Sequence, residues 1–133
     1  MLAADRNTPS KDGKLIAVPV AAGAKIFAGA LVAANATGYA TRGATATTLT
    51  YLGRAEEFAD NTNGADGDVQ VMVRRAQAFL WKNSGTDPVT QASLGKLAYI
   101  VDDETVSKTN AGGNTQSAAG IVIGVDASGV WIV

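Results

Sequence analysis

Asp68-Val69-Gln70-Val71-Met72-Val73-Arg74-Arg75-Ala76-Gln77-Ala78-Phe79-Leu80-Trp81-Lys82 is the stretch on which the fold reading turns. Val69, Val71 and Val73 alternate with Gln70, Met72 and Arg74, which is the two-residue period of a strand with one buried face. At roughly 3.3 Å per residue the whole stretch would span about 50 Å, too long for one flat strand of a small domain. The alternation also breaks at Arg74-Arg75. A bulge there turns Ala76, Ala78 and Leu80 to the core and leaves Phe79 and Trp81 facing outward or toward a partner chain. The expectation is a long, bent central strand.

The totals are those of one small domain: 133 residues, a size that buries about two-thirds of the surface its unfolded chain exposes. Much of the 47% apolar content is alanine, and there are only three Phe, three Tyr and two Trp. Fifteen Gly, with many Thr, Asn and Asp, predict numerous turns. A net charge of −1 gives no electrostatic footprint for nucleic acid or an anionic membrane. The absence of cysteine removes disulfides and thiolate metal sites and leaves the redox compartment open. Charges at Asp5 and Arg6 precede any apolar core, so no export signal is read. The most membrane-like region, Leu15–Ala36, is interrupted by Pro19, Gly23, Lys25 and Gly29 and falls short of the roughly 20 apolar residues of a spanning helix.

Outward from the central stretch, short strands and turns alternate. Residues 1–14 read as an extended N-terminal arm, either a frayed end or a tether that orders on a partner, and residues 15–133 as a single β-barrel-like domain. Leu15–Val20 is a strand that Pro19 confines to an edge or an end. Asn35-Ala36-Thr37-Gly38 and Asp126-Ala127-Ser128-Gly129 share one pattern, which predicts three-residue hairpin loops with a glycine bulge. Thr47–Ala59 is the next strand candidate, and the loop Asp60–Gly67 leads back into the central stretch. Glu56-Glu57 stand opposite Arg74-Arg75 across that loop, so cross-strand charge pairing is expected. Asp87-Pro88 predicts one helical turn, ended by Gly95. Strands over Lys96–Val101, Glu104–Lys108, Ala118–Val125 and Val130–Val133 follow, with Ala111–Asn114 as a flexible loop. The fold class is therefore all-β: a small single-domain barrel or sandwich with short hairpins and at most one helical turn.

Catalytic chemistry finds little footing. There is no histidine, the commonest general base and metal ligand, and no cysteine nucleophile. Neither Gly-x-x-x-x-Gly-Lys-Ser/Thr nor Gly-x-Gly-x-x-Gly occurs. Adjacent Glu56 and Glu57 point to opposite faces of a strand and form no acid–base pair. Asp102-Asp103-Glu104 offers oxygen ligands to a hard cation, against the plainer reading of a solvated turn. Asp60–Asp68 looks superficially like a calcium loop, but Gly64, Ala65 and the lack of a twelfth-position acid spoil the pattern. The Asn35-Ala36-Thr37 sequon lies in a predicted turn and carries no weight here. Trp81 and Trp131 suit a stacking platform for sugars or bases, or plain packing and subunit contact. No lysine has the setting of a lipoyl or biotin carrier. No cofactor or metal is expected.

Four runs carry a resemblance. They are Ala4-Asp5-Arg6-Asn7-Thr8; Pro19–Ala24 through Ala28–Ala33; Gly95-Lys96-Leu97-Ala98-Tyr99-Ile100-Val101-Asp102-Asp103-Glu104-Thr105-Val106; and Ala119-Gly120-Ile121-Val122 with Gly129-Val130-Trp131. Over nearly its whole length the chain resembles the capsid decoration, or cement, proteins of tailed phages and Mu-like prophages. The resemblance implies a compact β-barrel-like domain on the outer surface of an icosahedral virion head, made in the bacterial host cytoplasm. It implies a homotrimer that stabilises the head by bridging subunits of the major capsid protein, with no catalytic motif to carry over. On that reading Arg6, Asn7, Thr8, Pro9 and Lys11 of the arm contact the capsid, and Phe79, Trp81, Arg74 and Arg75 make subunit contacts. The alternative is a carbohydrate- or host-surface-binding β module on the virion, motivated by Trp81 and Trp131. An enzyme is the third reading and has the least to stand on.

Overall fold

The structure, a computed structural model, describes all residues from Met1 to Val133. Its strands are β1 (Leu15–Pro19), β2 (Lys25–Ile26), β3 (Leu31–Ala34), β4 (Ala40–Arg42), β5 (Thr50–Ala55), β6 (Ala59–Asp60), β7 (Gln70–Arg74), β8 (Phe79–Asn83), β9 (Leu97–Ile100), β10 (Thr105–Ser107), β11 (Ala118–Asp126) and β12 (Gly129–Ile132). The expected all-β class is what the chain adopts.

The strands form two rolled units. In the first, β1-β7-β5-β3-β4 make an antiparallel sheet whose edges curl together. Val20, just past β1, bridges Ala40 of β4, and the Ala21 N–H donates to the Ala40 carbonyl at 2.9 Å. Val18, Val20, Val32, Val71 and Val73 fill this roll, and the small β2–β6 ribbon adds Ile26 and Ala59. In the second, β10-β8-β12-β11-β9 close into a barrel with one parallel pair, β8 beside β10. Phe79, Trp81, Ile100, Val106, Val122, Val130 and Ile132 pack its interior.

The two cores meet on β3. Val32 points into the roll, whereas Leu31 and Ala33 point into the barrel's core, and all three are fully buried. A strand covered on both faces has no reason to alternate, which explains the uninterrupted apolar run Leu31-Val32-Ala33.

The stretch Asp68–Lys82 is not one bent strand. It is two, β7 in the roll and β8 in the barrel, joined by residues 75–78, where Ala76 takes a left-handed φ of 55°. The side-chain phase does not carry across that link, because the two strands lie in different sheets. Val71 and Val73 are buried as expected. Beyond the link the expected faces are reversed: Phe79 and Trp81 are buried, Leu80 and Lys82 are exposed, and Ala76 lies outside.

The paired turns also part company. At Asn35–Gly38 the loop is the expected three-residue type: Gly38 is left-handed at φ 89°, the Asn35 side chain accepts from the Thr37 and Tyr39 N–H groups, and Ala34 pairs with Ala40. At Asp126 the loop closes in two residues, with Asp126 opposite Gly129. Gly129 serves there as a point of close approach, since a Cβ on it would stand 2.2 Å from the Trp81 carbonyl oxygen. The expected helical turn lies later than Asp87-Pro88. It is a 3-10 turn over Gln91–Ser93, capped by Thr90 and Ser93, while the Asp87 carboxylate is taken by the Thr109 N–H and hydroxyl. Ala111–Asn114 forms a tight turn with left-handed Gly112, Gly113 and Asn114 in succession.

Candidate functional site

Most carboxylates of the expected acid clusters are engaged locally. Glu56 receives Arg54 at 2.5 Å and Arg74 at 3.3 Å, so the predicted charge pairing holds for Arg74 but not for Arg75. The Arg54 hydrogen bond, helped by the charges of both arginines, holds the Glu56 carboxyl below its ordinary range. Glu57 instead accepts the Met72 N–H, and Arg75 uses its backbone N–H on the Lys14 carbonyl. Asp102 accepts the Glu104 N–H and Glu104 pairs with Lys82 at 2.6 Å, so these carboxylates do not converge on one point. No group of three acidic side chains is placed to hold a metal ion.

The Asp60–Asp68 loop is held by its own residues and by the Val20–Ala22 segment. Asp60 accepts the Thr62 N–H and hydroxyl, Asp66 accepts the Ala22 N–H, and Asp68 accepts the Ala65 N–H. Asn61, which the sequence reading did not single out, is buried, and its amide reaches the carbonyls of Val20, Ala21 and Ala65. Gly64 leaves the room it needs, since a Cβ there would lie 1.9 Å from Asn61 Oδ1.

Of the residues expected to touch partners, Phe79 and Trp81 are not available, being 6% and 4% exposed. Arg54 lies over the Phe79 ring at 5.0 Å and seals it further. Arg75 is exposed, and Arg74 is half-buried beside Glu56. The arm residues Arg6, Asn7, Thr8, Pro9 and Lys11 are all exposed and make no hydrogen bond or ion pair with the domain. Met1 and Leu2 are exposed at its tip.

What the fold does bring together is an apolar band on the outside of the barrel. Leu80 of β8 pairs with Trp131 of β12, and Ile121 of β11 pairs with Leu97 of β9. Val133 exchanges backbone hydrogen bonds with Ile121 at 2.9 and 3.0 Å, and Ile123 lies between on β11. All six side chains are more than a third exposed. Single exposed apolar residues are ordinary, but here the neighbours are linked across four adjacent strands into one continuous apolar band. The signal was present in the sequence: Ile121-Val122-Ile123 and Val130-Trp131-Ile132-Val133 lack polar alternates, as strands covered on both faces do. A second exposed apolar point, Phe27 against Phe58 with ring centres 5.4 Å apart, stands at the end of the β2–β6 ribbon.

One polar pair lies on the seam between the cores. The Tyr51 hydroxyl and the Trp81 indole N–H face one another without hydrogen-bond geometry, and both are buried and unpartnered. Burial pushes the Tyr51 phenol up to about 12, with the Trp81 N–H opposing the shift. Below pH 10 the phenol is neutral in the folded and unfolded chain alike. As pH rises from 10 to 12 the unfolded chain ionises first, so stability falls, by about 2–3 kcal/mol at pH 12. Tyr51→Phe removes an orphaned hydroxyl and is expected to gain about 1 kcal/mol at pH 7 and to lose this alkaline step. Urea unfolding at pH 7 and pH 11.5 reads both; a less stable variant at pH 7 means that the hydroxyl has a partner.

A scan against protein-family models, a search of curated proteins and a search of solved structures each returned no match.

Proposed function

We propose that this chain is a structural adhesion protein, a decoration protein that binds the outside of an icosahedral phage head and bridges major capsid protein subunits. The observation that carries the reading is the apolar band Leu80–Trp131–Ile121–Leu97, an outer barrel face left uncovered in the single chain. The exposed arm supplies a second attachment element, and the sequence resemblance described above supplies the nature of the shell. Repetition on a symmetric lattice lets weak contacts act together, raising avidity by about 10²–10⁴ without one strong site. A trimer would place three such bands around a shared axis. A sugar-stacking platform made by Trp81 and Trp131 is weakened by the burial of Trp81, which leaves Trp131 without its partner.

Two variants test the reading on purified heads of the phage or prophage that encodes the chain. Ile121→Asp charges the band at an exposed position, and deletion of residues 1–12 removes the arm without touching a core residue. Both are expected to keep the unfolding transition and to lose at least tenfold in head binding by co-sedimentation. Undiminished binding by both variants would remove the proposed surfaces.

A further inference from the structure

Beside the barrel lies the largest cleft of the molecule, about 750 Å³, within the range of small-molecule and oligomer sites. It opens between the 3-10 turn, β9 and the left-handed turn at Ala111–Asn114. Lys96, Lys108, Tyr99, Asn110 and Asn114 line it, with Leu97 as an apolar neighbour. No carboxylate lines it.

The hydrogen-bond inventory is one-sided. Neither lysine has an ion-pair partner within 4.0 Å, whereas four other basic side chains do. Asn110 spends its carbonyl oxygen on the Gln116 N–H at 2.8 Å, which leaves its NH₂ without a protein acceptor. The Asn114 amide and the Tyr99 hydroxyl make no hydrogen bond within the chain, so both are free to donate. Asp87 lines the adjoining cleft, takes both hydrogen bonds from Thr109 on its Oδ2 at 2.8 and 2.7 Å, and also feels the Lys108 charge.

The cleft is also built rather than incidental. Gln116 is buried and its amide nitrogen donates to the Ile100 carbonyl and the Ser107 hydroxyl, each at 3.0 Å, which pins the base of the turn. Asn114 is held at φ 62°, a left-handed conformation unusual for a residue with a side chain, and lines the cleft from there.

We infer that this cleft binds an acidic polysaccharide: two ammonium groups take carboxylate or sulfate oxygens, the amide and phenol donors take sugar oxygens, and Tyr99 with Leu97 gives the sugar ring an apolar face. The inference is independent of the shell-binding proposal, because the cleft residues other than Leu97 lie outside the apolar band. Ammonium groups suit a single anionic oxygen, and the surrounding donors favour a chain rich in hydroxyl and ether acceptors over a purely ionic polymer.

The test is calorimetry on the intact chain with polygalacturonate, dextran sulfate, neutral dextran and poly-L-glutamate at low salt. The expected result is saturable binding to polygalacturonate or dextran sulfate, weakening with added salt and reduced at least tenfold in Lys96→Gln/Lys108→Gln. Both lysines are exposed, so the double variant keeps the fold, checked by an unchanged unfolding midpoint. Tyr99→Ala is expected to weaken sugar binding at unchanged salt dependence. The inference is overturned if neither anionic sugar binds, if the double variant binds as well as the parent, or if poly-L-glutamate binds as tightly as the sugars.

Discussion

Trp81→Ala should destabilise the protein by about 3–5 kcal/mol, while Leu80→Ala beside it should cost less than about 1 kcal/mol. Trp81 is 4% exposed and packs in the barrel core with Phe79, their ring centres 6.0 Å apart. Truncation leaves a cavity that strands closed into a ring have little freedom to collapse around. Leu80 is 39% exposed on the outer face, so its truncation removes surface contact only. Urea unfolding of the two variants separates the alternatives sharply: if β8 continued the phase of β7 through a bulge, the two effects would exchange places.

Gly53→Ala is the second large effect, about 3–5 kcal/mol, although it adds a single methyl group. Gly53 sits at φ 142°, where β5 bulges against β3, and a Cβ on it would stand 2.0 Å from the Arg74 carbonyl oxygen on β7. The clash is with backbone, so no rotamer change relieves it. Either β5 and β7 separate, or the strained glycine conformation is abandoned and the pairing of Val32 with Gly53 is lost. Gly85→Ala is the control, with nothing within 4 Å of the added carbon. A Gly53→Ala change within about 1 kcal/mol of that control contradicts the close approach of the two strands.

Local rules read well wherever one segment decides its own structure. The Asn35–Gly38 hairpin, the edge placement of Pro19 on β1 and the burial of Val71 and Val73 follow from turn chemistry and two-residue alternation. They fail where a partner strand decides. Nothing within Arg75–Ala78 announces that β7 and β8 belong to different sheets, so extrapolating the alternation put Phe79 and Trp81 on the wrong face. The same sequence pattern at Asp126 closes as a shorter loop because β8 lies against Gly129, a contact of long sequence separation. The candidate site was legible only in retrospect. The runs ending in Ile123 and Val133 looked like ordinary core strands until the barrel showed which half of each faced outward. The cleft was not legible at all, since Lys96, Tyr99, Lys108 and Asn114 come together only through the pairing of β9 with β10 and β11.

The proposed function is adhesion to a phage head. Its most direct measurement is the rupture temperature of heads heated with and without the protein, followed by release of packaged DNA. Decorated heads should rupture at a clearly higher temperature than bare ones. Equal rupture temperatures at saturating protein would contradict the claim.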